Sequence, residues 1–261
     1  ARMDIQTNGT PISDEAADVL CDAGIGVGVS LDGRPDVHDA LRRFPDGRGT
    51  SSAVITGIQR LTARGKEIGL TTVVTAENVA ALPGVIEMAY YLGNVRIVGF
   101  DLLRGQGRGV SVRPAREEDV ALAMERVFAL CRKLERLTGR HIVIAQAEQA
   151  SCLAQRTDGG FSHCHAMSGA GVHVDALGRI YACSSFVGDE RFLLGDVAHG
   201  IDARRQEELA HEMQRTMAFC CTCTDFLRCG GACYARMTGE HAICTAECAL
   251  KRAAIKEATS N

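Results

Sequence analysis

Long apolar runs are missing from this chain. The richest, Val79 to Leu92, is interrupted by Pro83, Gly84 and Glu87, and nothing approaches the roughly 20 residues needed to span a bilayer. An excess of one charge is missing too: 29 Lys and Arg stand against 32 Asp and Glu, a net charge of −3. That balance gives no electrostatic footprint for nucleic acid or an anionic membrane, so neither is an expected partner. Ala1 to Thr10 lacks the basic start and apolar stretch of an export signal, so the expected compartment is the reducing cytoplasm. Cysteine is nearly absent from the first 150 residues, which hold only Cys21 and Cys131. The distribution does not fit the disulfide scaffold of a short secreted chain.

What is present is lopsided. Ten of the twelve cysteines fall between Cys152 and Cys248, and clustered cysteines in such a chain point to metal. The remaining composition, 46% hydrophobic and 23% charged, is that of an ordinary globular protein. Up to about Gln155, β-rich runs alternate with helical ones. Strands are expected at Met3–Thr7, Ile25–Ser30, Leu70–Thr75, Val95–Leu103 and His141–Ala145. Helices are expected at Ser13–Ala23, at Ser51–Arg64 (with Val54, Ile55, Ile58 and Leu61 on one face), after Asn78, and at Glu117–Leu137. Such alternation predicts parallel βα units, too few for a complete eight-fold barrel. After residue 155 glycine, cysteine and short strand pieces at Val172–Val174 and Ile180–Ala182 take over, with helices expected at Asp202–Arg215 and Ala246–Glu257. The expected domains are therefore 1–155 and 156–261, the second cross-linked by metal.

The cysteines of the second part have informative intervals. Cys220, Cys223, Cys229 and Cys233 form C-x2-C-x5-C-x3-C, beside Gly230 and Gly231. Upstream, Cys164 is followed by thirteen residues, Gly178, four residues and Cys183; downstream stand Cys244 and Cys248. A C-x2-C pair lets two thiolates converge from a tight turn, and taken alone it favours a zinc ribbon. Seven or eight cysteines at these intervals are harder to fit to zinc. The spacing resembles the SPASM domain of radical S-adenosylmethionine enzymes, over about Cys164 to Lys251. By that resemblance Cys164, Cys183 and Cys233 hold one auxiliary 4Fe-4S cluster. Cys220, Cys223, Cys229 and Cys248 hold a second, with Cys244 the fallback for Cys248. Some relatives carry a further cysteine where this chain has Ala170, which implies an open iron or a non-cysteine ligand on the first cluster. Cys21, Cys131, Cys152 and Cys221 are read as buried or spare thiols.

The same resemblance gives meaning to the first part. IQTNGT (Ile5–Thr10), VGVSLDG (Val27–Gly33) and the following His38, Asp39 and Arg42 are similar to successive strand ends of a radical-SAM barrel. The fold implied is α/β: a partial (βα) barrel followed by a small Cys-rich SPASM domain with two auxiliary iron–sulfur clusters. Gln6, Asn8, Ser30, Asp32 and Arg42 are the residues implied to bind S-adenosylmethionine, and a guanidinium suits its carboxylate because the planar fork binds bidentately. The Gly/Arg loop Leu102–Gly109 follows another strand and reads as a surface loop. His38, His163, His165 and His173 are ordinary candidates for acid–base work, each more simply a surface or hydrogen-bonding residue. The defining C-x3-C-x2-C motif of the family occurs nowhere here. The expectation is an N-terminally truncated piece, inactive alone, with a third cluster on the missing βα units.

Where sulfatase-maturating relatives carry a catalytic aspartate after the second cysteine of the first cluster, this chain has Ser184. GRIYACSSFVGDERFLLGDV (Gly178–Val197) instead resembles maturases that install thioether cross-links from cysteine, with Ala182 in place of their proline. The activity implied is peptide or protein maturation. A 5′-deoxyadenosyl radical abstracts hydrogen from the substrate, a substrate cysteine sulfur bonds to that carbon, and an auxiliary cluster accepts the electron. The implied partners are a cysteine-containing peptide or protein and a reductant such as flavodoxin or ferredoxin. The competing readings are another radical-SAM outcome (carbon–carbon cross-link, epimerisation, formylglycine), a non-catalytic iron–sulfur electron-transfer protein, and a structural zinc protein.

Overall fold

The structure, a computed structural model, describes residues 3–156, 160–161, 163–237 and 244–259. The chain divides into two compact units, Ala1–Gln149 with Thr245–Asn261, and Ala150–Cys244. The linear division expected at 155/156 differs in two respects: the boundary falls at Gln149/Ala150, and the last helix belongs with the first unit.

In the first unit, β1 (Asp4–Thr7) leads to helix α1 (Asp14–Asp22), whose start is fixed by Ser13 accepting the Ala16 N–H at 3.1 Å. Then follow β2 (Gly26–Ser30), α2 (Pro35–Leu41), α3 (Ser51–Ala63) and β3 (Ile68–Val74). After these come α4 (Pro83–Leu92), β4 (Val95–Leu102), α5 (Glu117–Thr138), β5 (Val143–Ile144) and α6 (Ala145–Ala154). The five strands form one sheet in the order β1-β2-β3-β4-β5, every pair parallel. Strand order that follows chain order is the wall of a barrel; a doubly wound sheet would reverse direction partway. The alternating burial of β3 places Ile68, Leu70 and Val74 in the core with Val54, Ile58 and Leu61 of α3. Short α2 was not expected from the sequence. It starts on Pro35, a residue pre-set for a first helical turn, and is too short to show a period.

The second unit is built around an antiparallel meander of β6 (His173–Val174), β7 (Arg179–Tyr181), β8 (Leu193–Asp196) and β9 (Gly200–Ile201). Strands β8 and β9 were not anticipated, being short and glycine-broken. Helix α7 (Ala203–Thr216) begins on an Asp202 cap that accepts the Arg205 N–H, and α8 (Phe226–Cys229) is a single turn. The core of this unit gathers Met167, Ile180, Tyr181, Phe192, Leu194, Met213 and Met217. Helix α9 (Thr245–Thr259) returns to the first unit, where it lies along α5 and Glu257 pairs with Arg132. Among the described residues no helix is long and apolar enough to cross a membrane.

Candidate functional site

Ligands of parallel βα sheets bind beyond the carboxyl ends of the strands. Gln6 and Ser30 lie at those ends of β1 and β2, and the Gln6 Nε2 donates to Ser30 Oγ at 3.2 Å. Parallel pairing sets this up, because Gln6 aligns with Gly28 and Thr7 with Val29. Asn8, just past β1, is exposed, and its Oδ1 accepts the Thr10 N–H at 3.0 Å and the Thr10 hydroxyl at 2.8 Å. It makes an Asx turn. Gly9 follows at φ +79°, where a Cβ would come within 2.8 Å of Val29 Cγ1, so the turn needs glycine on both counts.

Asp32 and Arg42 are brought together in a closed circuit. The Arg42 Nε donates to Asp32 Oδ2, and Nη2 to Oδ1 at 3.3 Å. Asp32 Oδ1 also accepts the Val73 N–H at 2.9 Å, and only 4% of the residue is exposed. His38, which is fully buried, accepts the Asp32 N–H at Nδ1 (3.1 Å). Its Nε2, 3.0 Å from Thr50 Oγ1, must then carry the proton, and Thr50 passes its own proton to the Arg42 carbonyl at 3.2 Å. Burial, the largest influence, pushes the His38 pKa down and keeps the ring neutral. Asn78 completes the frame, donating to the carbonyls of Val73 (2.8 Å) and Asp32 (3.4 Å). Asp39 caps α3 through the N–H and hydroxyl of Ser51, which lowers its pKa. Sequence reading had His38 as an ordinary hydrogen-bonding residue, and that is its place here. It had missed Thr50 and Asn78, which carry no motif signal.

In the second unit two separate devices draw cysteine-bearing segments together. Gly230 and Gly231 stand at φ +72° and +85°, after α8. A Cβ on Gly230 would lie 2.4 Å from His163 Nδ1, and one on Gly231 would lie 2.6 Å from Phe161 Cε1. The segment before Cys164 therefore packs directly on the stretch between Cys229 and Cys233. The second device is aromatic. Phe186 and Phe192 stack with centroids 3.9 Å apart, and Tyr234 meets both edge-on at 5.8 and 6.1 Å. This joins the turn after Cys183 to the turn after Cys233, and it explains the F-V-G-x-x-x-F part of the string as packing.

Cys164, Cys183 and Cys220 border the apolar core of this unit, partly buried. Cys223, Cys229, Cys233 and Cys244 are also partly buried here, and Cys248 lies on α9 in the first unit. Ala170 is exposed and closes the turn begun by Cys164, donating to the His165 carbonyl at 2.8 Å. Of the four cysteines left over, Cys152 and Cys221 are exposed and Cys21 is half-buried on α1. Burial pushes the Cys131 thiol up to about 12. That thiol is inert.

Among the described residues no three His, Cys, Asp or Glu side chains are grouped to hold a single metal ion. Zinc needs its donors about 2.3 Å from one centre, whereas thiolates on a cubane attach to separate irons and stand further apart. The residues fit such a cluster: the donor set is thiol, and a buried hydroxyl, Tyr181 Oη, lies two residues before Cys183 with no hydrogen-bond partner among the described residues.

No family model matches the chain. It is 27% identical over 253 residues to the serine-type anaerobic sulfatase-maturating enzyme of Klebsiella aerogenes, covering 92% of this chain and 60% of that protein. It is 29% identical over 135 residues to the Fe-coproporphyrin III synthase of Methanosarcina barkeri, covering 51% of this chain and 33% of that one. An uncharacterized protein of Methanocaldococcus jannaschii is 28% identical over 184 residues, 70% of this chain and 57% of its own. The chain thus spans about three fifths of the sulfatase-maturating relative's length. Among solved structures, anSMEcpe with bound AdoMet superposes with a TM-score of 0.78 at 19% identity, over 99% of this chain and 73% of that one. Streptococcus suis SuiB bound to its precursor peptide SuiA gives 0.63 at 12% identity, over 90% and 55%. The chain shares its fold with anSMEcpe and with SuiB.

Proposed function

We propose that this chain is the S-adenosylmethionine-positioning and auxiliary-cluster part of a radical-SAM maturase, one that forms thioether cross-links from cysteine in a peptide or protein. The observation that carries the reading is the Asp32–Arg42 circuit at the carboxyl ends of the strands, next to the Gln6–Ser30 pair. Asp32, nearly buried and already accepting two partners, acts through Arg42: it fixes the guanidinium plane so that the fork meets a carboxylate without first losing rotamer freedom. Gln6, Ser30 and Asn8 add uncharged polar groups along the same edge. The radical-SAM cleaving cluster has no C-x3-C-x2-C among these 261 residues, so in this reading residues outside them hold it. The β1 edge is available to a further strand, with Met3 57% and Ile5 43% exposed.

Cys164, Cys183 and Cys233 are assigned to one auxiliary cluster, and Cys220, Cys223, Cys229 and Cys248 to the other. Bound to this chain, these groups would supply one-electron and radical chemistry in a reducing compartment, with flavodoxin or ferredoxin as the reductant. The chain's own part is to exclude water from the cysteine sites, through the Phe186–Phe192–Tyr234 stack, and to hold the cofactor's carboxylate. The complexes of anSMEcpe with the Kp18Cys peptide and of SuiB with SuiA support a peptide substrate here too.

Ser184, exposed beside Cys183, stands where the sulfatase-maturating family carries its aspartate, and this favours thioether formation. A second reading, formylglycine formation, is favoured by the similarity to sulfatase-maturating enzymes over 92% of the chain. The test of the cofactor assignment is equilibrium dialysis with S-adenosylmethionine on anaerobically reconstituted protein. Arg42→Ala should weaken binding at least about tenfold, the order of one charge-assisted hydrogen bond, and Arg43→Ala should not. Equal affinities would contradict it. The reaction is read by mass on a co-produced cysteine peptide: loss of two hydrogens together with the alkylatable thiol supports the thioether, and an aldehyde supports formylglycine.

A further inference from the structure

The tyrosine before Cys183 has an arrangement that packing alone does not account for. Tyr181 is fully buried and is among the largest wholly enclosed side chains of the protein. Its ring lies in the core of the second unit with Met167, Phe192 and Leu194, and the Arg179 guanidinium carbon is 5.7 Å from the ring centroid. Its hydroxyl is also enclosed, with no hydrogen-bond partner among the described residues. Folded proteins rarely leave a buried hydroxyl in that condition, because it gives up its water and gains nothing. Phenylalanine would fill the same ring volume without that cost.

Two segments bring thiols to the core that encloses this residue. Tyr181 ends β7, and the chain bends at Ala182, whose N–H donates to the Phe192 carbonyl at 3.0 Å. Cys183 follows at φ −147° and ψ 138°. Cys164 and Cys183 both border the apolar core that contains Tyr181. A phenol is a one-proton donor, and thiolate or bridging sulfide is the acceptor that the border of this core is assigned to hold.

We propose that Tyr181 Oη donates a hydrogen bond to a sulfur of the cluster held by Cys164, Cys183 and Cys233, and so raises that cluster's reduction potential. The proposal rests on the cluster assignment made above. A hydrogen bond to a cluster sulfur stabilises the more negative, reduced state. Cys183 thus supplies a ligand to the cluster and Tyr181 a dipole, from one short segment.

The test is Tyr181→Phe, compared with wild type in the iron-free and the anaerobically reconstituted protein. Three results are expected. Iron and sulfide contents are equal. The variant melts higher than wild type when iron-free, because the orphaned hydroxyl is gone, and lower when reconstituted. In an EPR-monitored titration one midpoint moves to more negative potential and the other stays; the transition that survives in a Cys220→Ser, Cys223→Ser background identifies the mover as the Cys164 cluster. A melting shift of the same sign in both forms would assign the hydroxyl to an enclosed water and overturn the proposal, as would an unmoved midpoint. A wild-type chain that takes up no iron would overturn the functional reading, and this proposal with it.

Discussion

His38 shows how one buried side chain can organise a binding edge without touching a ligand. Its neutral ring links the Asp32 N–H to Thr50, and Thr50 to the Arg42 carbonyl, so the residues at both ends of the Asp32–Arg42 pair are held by the same imidazole. Because burial lowers its pKa in the fold, the unfolded chain binds the proton more readily. The stability it contributes is full above the unfolded value of about 6.5 and is lost as pH falls below it toward the folded value. Wild-type melting temperature should therefore fall on acidification from pH 7 to 5.5, and His38→Gln should flatten that dependence while lowering the melting temperature at pH 7. Parallel curves for the two proteins would remove His38 from this role. Gln6, Ser30, Asp32 and Arg42 were singled out in the sequence because a family pattern names them; the Gln6–Ser30 and Asp32–Arg42 pairings are what the fold adds. Thr50 and Asn78 were not, because a hydroxyl or amide that serves a neighbour's backbone follows no spacing rule. Nor does a strand run such as Arg179–Tyr181 reveal that the phenol it buries has no hydrogen-bond partner among the described residues.

Among the elements, the long ones declared themselves. Alternation in Ile68–Val74, a Ser cap before α1 and the acidic first turn of α5 ahead of Gly139 are local signals, and each element lies within a few residues of its expected place. Short α2, α8, β8 and β9 were missed because two to seven residues are too few for a period to emerge, and α6 because its ten residues bury only Ala150 and Leu153 and so show little apolar stripe. The glycines after α8 combine a positive φ with a close approach. The two effects are separable by measurement. Gly24 also has a positive φ (+63°) but nothing within 4 Å of a Cβ, so Gly24→Ala should cost only the backbone strain of about 1 kcal/mol. Gly231→Ala adds a collision with the Phe161 ring at 2.6 Å and should cost clearly more, read as a larger drop in the denaturation midpoint. Equal costs would mean that the Phe161 segment yields freely and does not pin Cys164.

At the scale of the whole molecule, the chain joins a unit that keeps its chemistry at strand ends to one that keeps it on turns. The first unit has enough buried apolar surface, from Val27 and Val29 through Val98 and Phe100, to hold its sheet together. The second has a smaller core, a four-stranded meander of short strands and nine partly or fully exposed thiols, which suits the proposal that metal contributes to its folding. Sequence spacing led to the same expectation from intervals. It placed the closing helix with the cysteine domain, because a linear reading cannot see Arg132 of α5 reaching Glu257 of α9. The account's central claim is that the cysteines of this chain are arranged for two iron–sulfur clusters and not for zinc. Its most direct test is iron, sulfide and zinc analysis of the protein purified and reconstituted under anaerobic conditions. The account predicts iron and sulfide in equal amounts, enough for two 4Fe-4S clusters, with one cluster's share lost on Cys183→Ala. Near-stoichiometric zinc with little iron would contradict it.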